Sequence, residues 1–155
     1  MNKNIDVFVI SLASPILVGI YENNILINTL SNEGKTSEVL PSIFENILKE
    51  YTVNNIIYVN GPGSYMAIKV AYIFLKTICI AKQIKFYACS GFEVNENSPI
   101  KALGKKYFVE DKNKNISMRL LDKDEKLNSF ELPTSLEFFK YSSETLPNYQ
   151  LPAVV

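Results

Sequence analysis

Between Asn54 and Gln83 the sequence reads NNIIYVNGPGSYMAIKVAYIFLKTICIAKQ: a run of branched residues, a turn with two glycines and a proline, then a stretch that is apolar almost all the way round a helix. Strand, tight turn and helix in direct succession point to an α/β layer arrangement. A helix covering one face of a sheet needs only one apolar stripe. Here Tyr65, Met66, Ile68, Val70, Tyr72, Ile73, Phe74, Leu75, Ile78, Cys79 and Ile80 are broken strongly only by Lys69, Lys76 and Thr77. The surplus apolar face has to be covered, by the rest of the chain or by a partner, because large exposed apolar patches are rare on monomers. Ala67 and Ala71, one turn apart, would let another helix approach closely.

The rest of the chain supplies a sheet for that helix. The stretches IDVFVISL and PILVGIYENNILINTLS are rich in branched residues, and Glu22, Asn23 and Asn24 break the second as a hairpin turn would. From Thr36 the period changes, with Val39, Leu40, Ile43, Phe44, Ile47 and Leu48 forming one stripe of a helix that ends near Tyr51. Ser37 is the expected N-cap of that helix and Ser64 that of the next. NNIIYV and KFYACS read as further strands. The order of three strands, helix, strand, helix, strand suits a mixed five-stranded sheet.

After Pro99 the composition shifts to lysine, aspartate and asparagine. KKYFVE, ISMRLL and LNSFEL read as short strands of a small antiparallel unit, with DKNKN and DKDEK as its turns. A short helix around Leu136–Tyr141 and irregular chain near Pro147 and Pro152 complete the expectation. The division is thus a first lobe over residues 1–99 and a short, lysine-rich second lobe with a tail over residues 100–155.

The chain has 155 residues with 16 basic and 16 acidic side chains, so no global charge draws it to nucleic acid or to an anionic membrane. Eight of the basic residues (Lys101, Lys105, Lys106, Lys112, Lys114, Arg119, Lys123 and Lys126) fall in one stretch with five acids. Such a stretch could touch RNA, but solvated hairpin tips look the same in sequence and are the favoured reading. Histidine is absent, which excludes triads and metal sites built on imidazole. Cys79 and Cys89 lie among apolar residues and read as reduced core thiols of a cytoplasmic protein. The first apolar run reads as a strand and not as a signal peptide, and no stretch reads as a membrane span.

A glycine turn opening a helix is a natural anion site. NGPGS, however, is followed by Tyr65 and Met66 where a phosphate loop puts lysine and a hydroxyl residue, so a tight turn bringing strand and helix together is the other reading. Asp6, Ser64, Ser90 and Glu93 have no partner acid or base in the pattern. No catalytic set, no cofactor and no metal site is expected.

TSEVLPSIFENIL followed by VNGPGSYMAIKVAYIFLKTICIAKQIKFYACSGFEV resembles the TsaB (YeaZ) family over roughly the first 97 residues. That family has a helix beginning His-Ser-Glu, a GPGSFTGLR turn and a strand ending Ser-Ser-Leu-Glu. Gly61, Pro62, Gly63 and Ser64 are identical to it, with Tyr65 for phenylalanine, Ile68 for leucine and Lys69 for arginine. Ser37 and Glu38 keep the helix start behind Thr36, and Ser90 and Glu93 keep the later pair. The resemblance implies an actin and sugar-kinase type of fold and a role in making threonylcarbamoyl-adenosine beside the tRNA anticodon. It implies a pseudo-enzyme that pairs through its two first-lobe helices with a catalytic paralogue, TsaD, and works with the ATPase TsaE.

Departures from the family pattern favour the non-catalytic reading. The family's Ile-Asp-Thr-Ser strand end corresponds to Ile10, Ser11, Leu12 and Ala13, so the aspartate that would organise a metal-bound phosphate is missing. Met66 and Ala67 replace threonine and glycine, and Lys101 and Leu103 change the charged opening of the second lobe. The expected partner surface is Val39, Ile43, Ile47, Ala67, Val70, Ala71, Phe74 and Ile78, with Gly61, Gly63 and Ser64 as a vestigial anion turn. The competing expectations are a small ATP-binding enzyme of the sugar-kinase type and a self-associating homodimer.

Overall fold

The computed structural model describes residues 2–150. Strands β1 (Lys3–Ile10), β2 (Ile16–Glu22) and β3 (Ile25–Asn32) are followed by helix α1 (Thr36–Glu50), β4 (Tyr51–Val59), α2 (Tyr65–Lys82) and β5 (Lys85–Cys89). They build a mixed five-stranded sheet in the order β3-β2-β1-β4-β5, with β1, β4 and β5 parallel and β1, β2 and β3 antiparallel. The hairpin between β2 and β3 turns on Asn23 and Asn24, both at positive φ, the conformation asparagine tolerates better than other side chains.

Alternation along the strands gives the sheet two apolar faces. Val7, Val9, Val18, Ile20 and Ile56 meet α1 and α2, whose Leu40, Phe44, Ala71 and Leu75 are fully enclosed. Edge-on packing of Phe44 against Phe74, 5.8 Å between ring centres, ties the two helices together. Val39, Ile43 and Ile47 also belong to this core, as does Ala71, and so do not form an outward surface. The physical reason is economy of faces: α1 has a single apolar stripe, and the sheet takes it.

Ser37 lies inside α1, not at its cap. Lys35 holds the cap position with no side-chain bond, and its carbonyl accepts from the N–H groups of Glu38 (3.0 Å) and Val39 (2.9 Å). Ser64 does occupy the cap position of α2, again without a side-chain bond.

Phe8, Ile10, Tyr21, Ile57 and Val59 point to the second face, which no helix covers among the described residues. Residues 128–149 return across it as an irregular strap. Asn128 N–H bonds Ser98 Oγ (2.9 Å), Glu131 N–H bonds Val94 O (2.9 Å), Tyr21 Oη donates to Pro133 O (2.6 Å) and Leu136 N–H bonds Asn24 O (2.8 Å). The strap then exchanges two backbone bonds of 2.8 Å between Ser142 and Ala88 at the edge of β5. LNSFEL is therefore part of this strap and not a strand of the small sheet, and no helix forms at Leu136–Tyr141. Anchoring of the strap to the first sheet at Asn24, Val94 and Ala88 draws these backbone groups out of a local ladder or helix.

The small sheet is instead β6 (Ile100–Lys101), β7 (Lys106–Glu110) and β8 (Ile116–Leu120), in that order. The 100–155 lobe expected from composition is thus divided. Only its first part is a unit of its own, and residues 128–149 complete the first. Pro152 and the rest of 151–155 lie outside the described residues.

Part of the clustered basic charge of this unit is spent internally. Lys114 pairs with Glu110 (3.5 Å) and Glu93 (3.7 Å), and Arg119 grips both carboxylate oxygens of Glu125 (2.8 and 2.6 Å). The Arg119 bonds, helped by the Asp122 N–H, hold the Glu125 carboxyl down to about 2.

Burial pushes both thiols, Cys79 and Cys89, up to about 12. At pH 8 only about one in ten thousand would be ionised, and the thiolate is the reactive form. A chromogenic disulfide reagent should therefore titrate no thiol in the native protein and two after unfolding. Rapid labelling of either cysteine in the native state would contradict this packing.

Candidate functional site

Two places emerge from the sequence as candidates, the glycine turn and the outer side of the helix pair. At the turn, Gly61 has φ +126°, and its carbonyl accepts the Gly91 N–H at 2.9 Å. A Cβ at Gly61 would stand 2.7 Å from the carbonyl oxygen of Asn148 in the strap, and one at Gly63 would stand 3.2 Å from Leu12 Cδ2. Asn60 reinforces the strap contact, donating from Nδ2 to Leu146 O (3.1 Å) and accepting the Asn148 N–H on its carbonyl (2.8 Å). The ring of Tyr149 lies 4.5 Å from that of Tyr65, and the buried Tyr58 hydroxyl donates to Thr145 O. Burial raises the Tyr58 pKa, so this phenol stays a neutral donor.

The turn's glycines thus admit protein. Leu12 packs against Gly63 and against Gly91, where an added Cβ would meet its Cδ1 at 2.8 Å. Sequence reasoning registered Leu12 only as a neighbour of the missing aspartate. Its apolar side chain beside a glycine turn was the available signal that this space is filled.

The remaining candidates have structural partners. Asp6 accepts from Asn55 Nδ2 (2.7 Å), Ser90 Oγ accepts the Phe92 N–H (3.2 Å), and Glu93 pairs with Lys114. Ser64 is exposed at the start of α2. Among the described residues no three metal-ligating side chains gather, and no helix is long and apolar enough to cross a membrane.

On the outer side of the helix pair runs an apolar trough of about 390 Å³ walled by Pro41 of α1 and by Val70, Ile73, Phe74 and Ile78 of α2. It shares Thr36, Ser37 and Val70 with a second hollow of about 420 Å³, which Met66 and Ala67 border and which reaches Leu12 and Ala13. Met66 is 62% exposed and Ile73 52%. Ala67, Val70, Phe74 and Ile78 are half-buried along this surface. Pro41, Met66 and Ile73 extend it beyond the residues named from the sequence. The phase of α2 accounts for this: positions 68, 71, 75 and 79 are taken by the sheet, so its second apolar stripe falls on 66, 70, 73, 74 and 78.

Sheet order and helix placement define a mixed α/β protein with both helices on one face. That fold is shared with YeaZ from Pseudomonas aeruginosa, at a TM-score of 0.58 and 14% sequence identity, over 83% of this chain and 65% of that one. A Pseudomonas aeruginosa protein described as uncharacterized, with similarity to peptidase YeaZ, aligns at a TM-score of 0.58 and 13% identity, over 84% of this chain and 65% of that one. The chain spans 65% of the length of both, and at these identities the likeness is one of fold. No protein-family model and no curated protein sequence matches the chain.

Proposed function

We propose that this chain is a non-catalytic subunit of a tRNA threonylcarbamoyladenosine-forming complex, which binds a TsaD-like catalytic paralogue through the α1–α2 face. In this reading a TsaE-like ATPase acts on the assembled complex, and tRNA is engaged through the complex as a whole. The observation that carries it is the exposed apolar trough between Pro41 and Ile73, a surface suited to a packed protein interface. The YeaZ-like fold and the family motifs in the sequence support the choice of partner. Leu12, packed against Gly63, supports the non-catalytic role over an ATP-binding sugar-kinase type of activity, because an apolar side chain and not a charged or hydroxyl group lies beside the turn.

The test is co-purification of the two proteins, with the affinity measured for Ile73→Glu and for the control Ile27→Glu on the outer strand. Ile73 is exposed, so glutamate there leaves the fold intact while placing a charge in the interface. An unpaired charge buried at an interface costs at least ~2 kcal/mol, a loss of roughly thirtyfold. Ile27→Glu should bind like the wild type. Unchanged affinity of Ile73→Glu would exclude this face. Sedimentation of the isolated chain distinguishes the homodimer alternative: a dimer dissolved by Ile73→Glu would assign the trough to a second copy.

A further inference from the structure

The hollow beside the apolar trough lies between two helix starts. Thr36 and Ser37, in the first turn of α1, form one wall, and Met66 and Ala67, in the first turn of α2, form another. Neither helix has a side-chain cap bond, and among the described residues no acceptor takes the N–H groups of these four residues. Free N–H groups and the positive ends of two helix dipoles therefore border one space of about 420 Å³.

Ser11 is the second feature of this hollow. It is 4% exposed, and its hydroxyl makes no hydrogen bond among the described residues. Its direction follows from the strand before it: Val7 and Val9 face the helices, Phe8 and Ile10 face the strap, and Ser11 continues the alternation on the helix side. Asn95 Oδ1 is the one sealed side-chain atom without a partner among the described residues, so the unpartnered Ser11 oxygen opens on the hollow that it lines. A buried hydroxyl left without a partner in a native fold points to a polar group from outside the chain. The groups waiting there are N–H and O–H donors, and the walls carry Lys35 and no carboxylate. Glu38, the acid in the first turn of α1, is not one of those walls. An anion matches this chemistry.

The hollow and the trough share Thr36, Ser37 and Val70, so an anion held in the first has apolar surface directly beside it. That juxtaposition suits a charged side chain carried on an apolar protein segment. We infer that the hollow receives an aspartate or glutamate side chain of the protein that covers the trough, its carboxylate accepting from the Ser11 hydroxyl and from N–H groups at the two helix starts. This rests on the interface reading above and adds the charge that the partner brings to the Thr36 end of the trough.

The test titrates the full chain, labelled with ¹⁵N, with hexanoate, whose carboxylate stands for the side chain and whose alkyl tail stands for the apolar segment. Saturable shifts at the amides of Thr36, Ser37, Met66 and Ala67 are expected, with a Kd of about 1 mM. Hexanol, which lacks the charge, should bind roughly tenfold more weakly. Lys35→Asn puts a side-chain acceptor at the cap of α1, where it favours the helix and occupies a free N–H group. It should raise the melting temperature and weaken hexanoate roughly tenfold, a pair of effects that a damaged fold does not produce. Lys35→Gln removes the same charge without capping and should bind hexanoate more tightly than Lys35→Asn. Absence of saturable shifts, or hexanol binding as well as hexanoate, would overturn the site. Inorganic phosphate binding more tightly than hexanoate would make the hollow a site for a free anion and overturn the protein side chain. With the catalytic paralogue, Lys35→Asn and Ser11→Ala should each weaken the complex roughly tenfold. Loss of the paralogue in Ile73→Glu with full affinity in both of these variants would leave the interface standing and overturn the carboxylate. The hexanoate titration needs no partner, so the carboxylate site stands or falls by itself even if the interface reading fails.

Discussion

A chain ending at Asn128 should lose cooperative unfolding altogether. Residues 129–150 cover the second face of the five-stranded sheet, where Phe8, Ile10, Tyr21, Ile57 and Val59 would otherwise meet water. Phe130, Leu132, Leu136 and Phe139 pack there, with the Phe139 ring edge-on to Phe8 at 5.5 Å between centres. Four large apolar side chains at about 1.5–3 kcal/mol each come to roughly 6–12 kcal/mol, even before the newly exposed sheet is counted. A domain of this size holds only about 5–15 kcal/mol in total. The single change Leu136→Ala should already cost about 2–5 kcal/mol, since Leu136 is 5% exposed and leaves a cavity. Thermal melts followed by circular dichroism would read both. A shortened chain melting within a few degrees of the full one would show that the strap decorates the sheet without completing it.

That strap is the part of the fold least visible in the sequence. The sheet and helices declare themselves through short-range patterns: alternation in IDVFVISL, the Asn23–Asn24 turn, the 3.6-residue recurrence from Val39 to Leu48. The strap has no period. Its apolar residues are spaced irregularly among polar ones and Pro133, and its partners lie far away in the chain, as Tyr21 does from Pro133. Local propensity carries no signal for contacts of that kind, so the stretch reads as a third strand and a short helix until the sheet that it covers is in place.

Candidate site residues divide along the same line. An excess of apolar residues on α2 was legible, and the trough beside Ile73 is where that excess surfaces. Which residues of each helix face outward was not, because the direction of the sheet sets the phase. Val39, Ile43, Ile47 and Ala71 have the composition of an interface and the position of a core.

Gly61→Ala should destabilise the protein by roughly 2–4 kcal/mol, the sum of a strained backbone and a steric conflict that nothing flexible relieves. At φ +126° a side chain is strained whatever the space around it, and the Cβ would sit 2.7 Å from a backbone oxygen, Asn148 O. To relieve the contact the strap would have to lift off, breaking the bonds that Asn60 makes to Leu146 and Asn148. Gly104→Ala is the matched control, since that residue also has positive φ (+60°) but faces open space, and about 1 kcal/mol is expected there. Gly63→Ala should be milder than Gly61→Ala, because the nearest atom, at 3.2 Å, is the end of the Leu12 side chain. Urea denaturation of the three variants ranks them directly. A Gly61→Ala variant as stable as Gly104→Ala would mean that the turn tolerates a side chain and that the strap does not need its close approach. In the expected ranking, the glycines that look in sequence like a cradle for phosphate serve two protein contacts, the strap at Gly61 and Leu12 at Gly63.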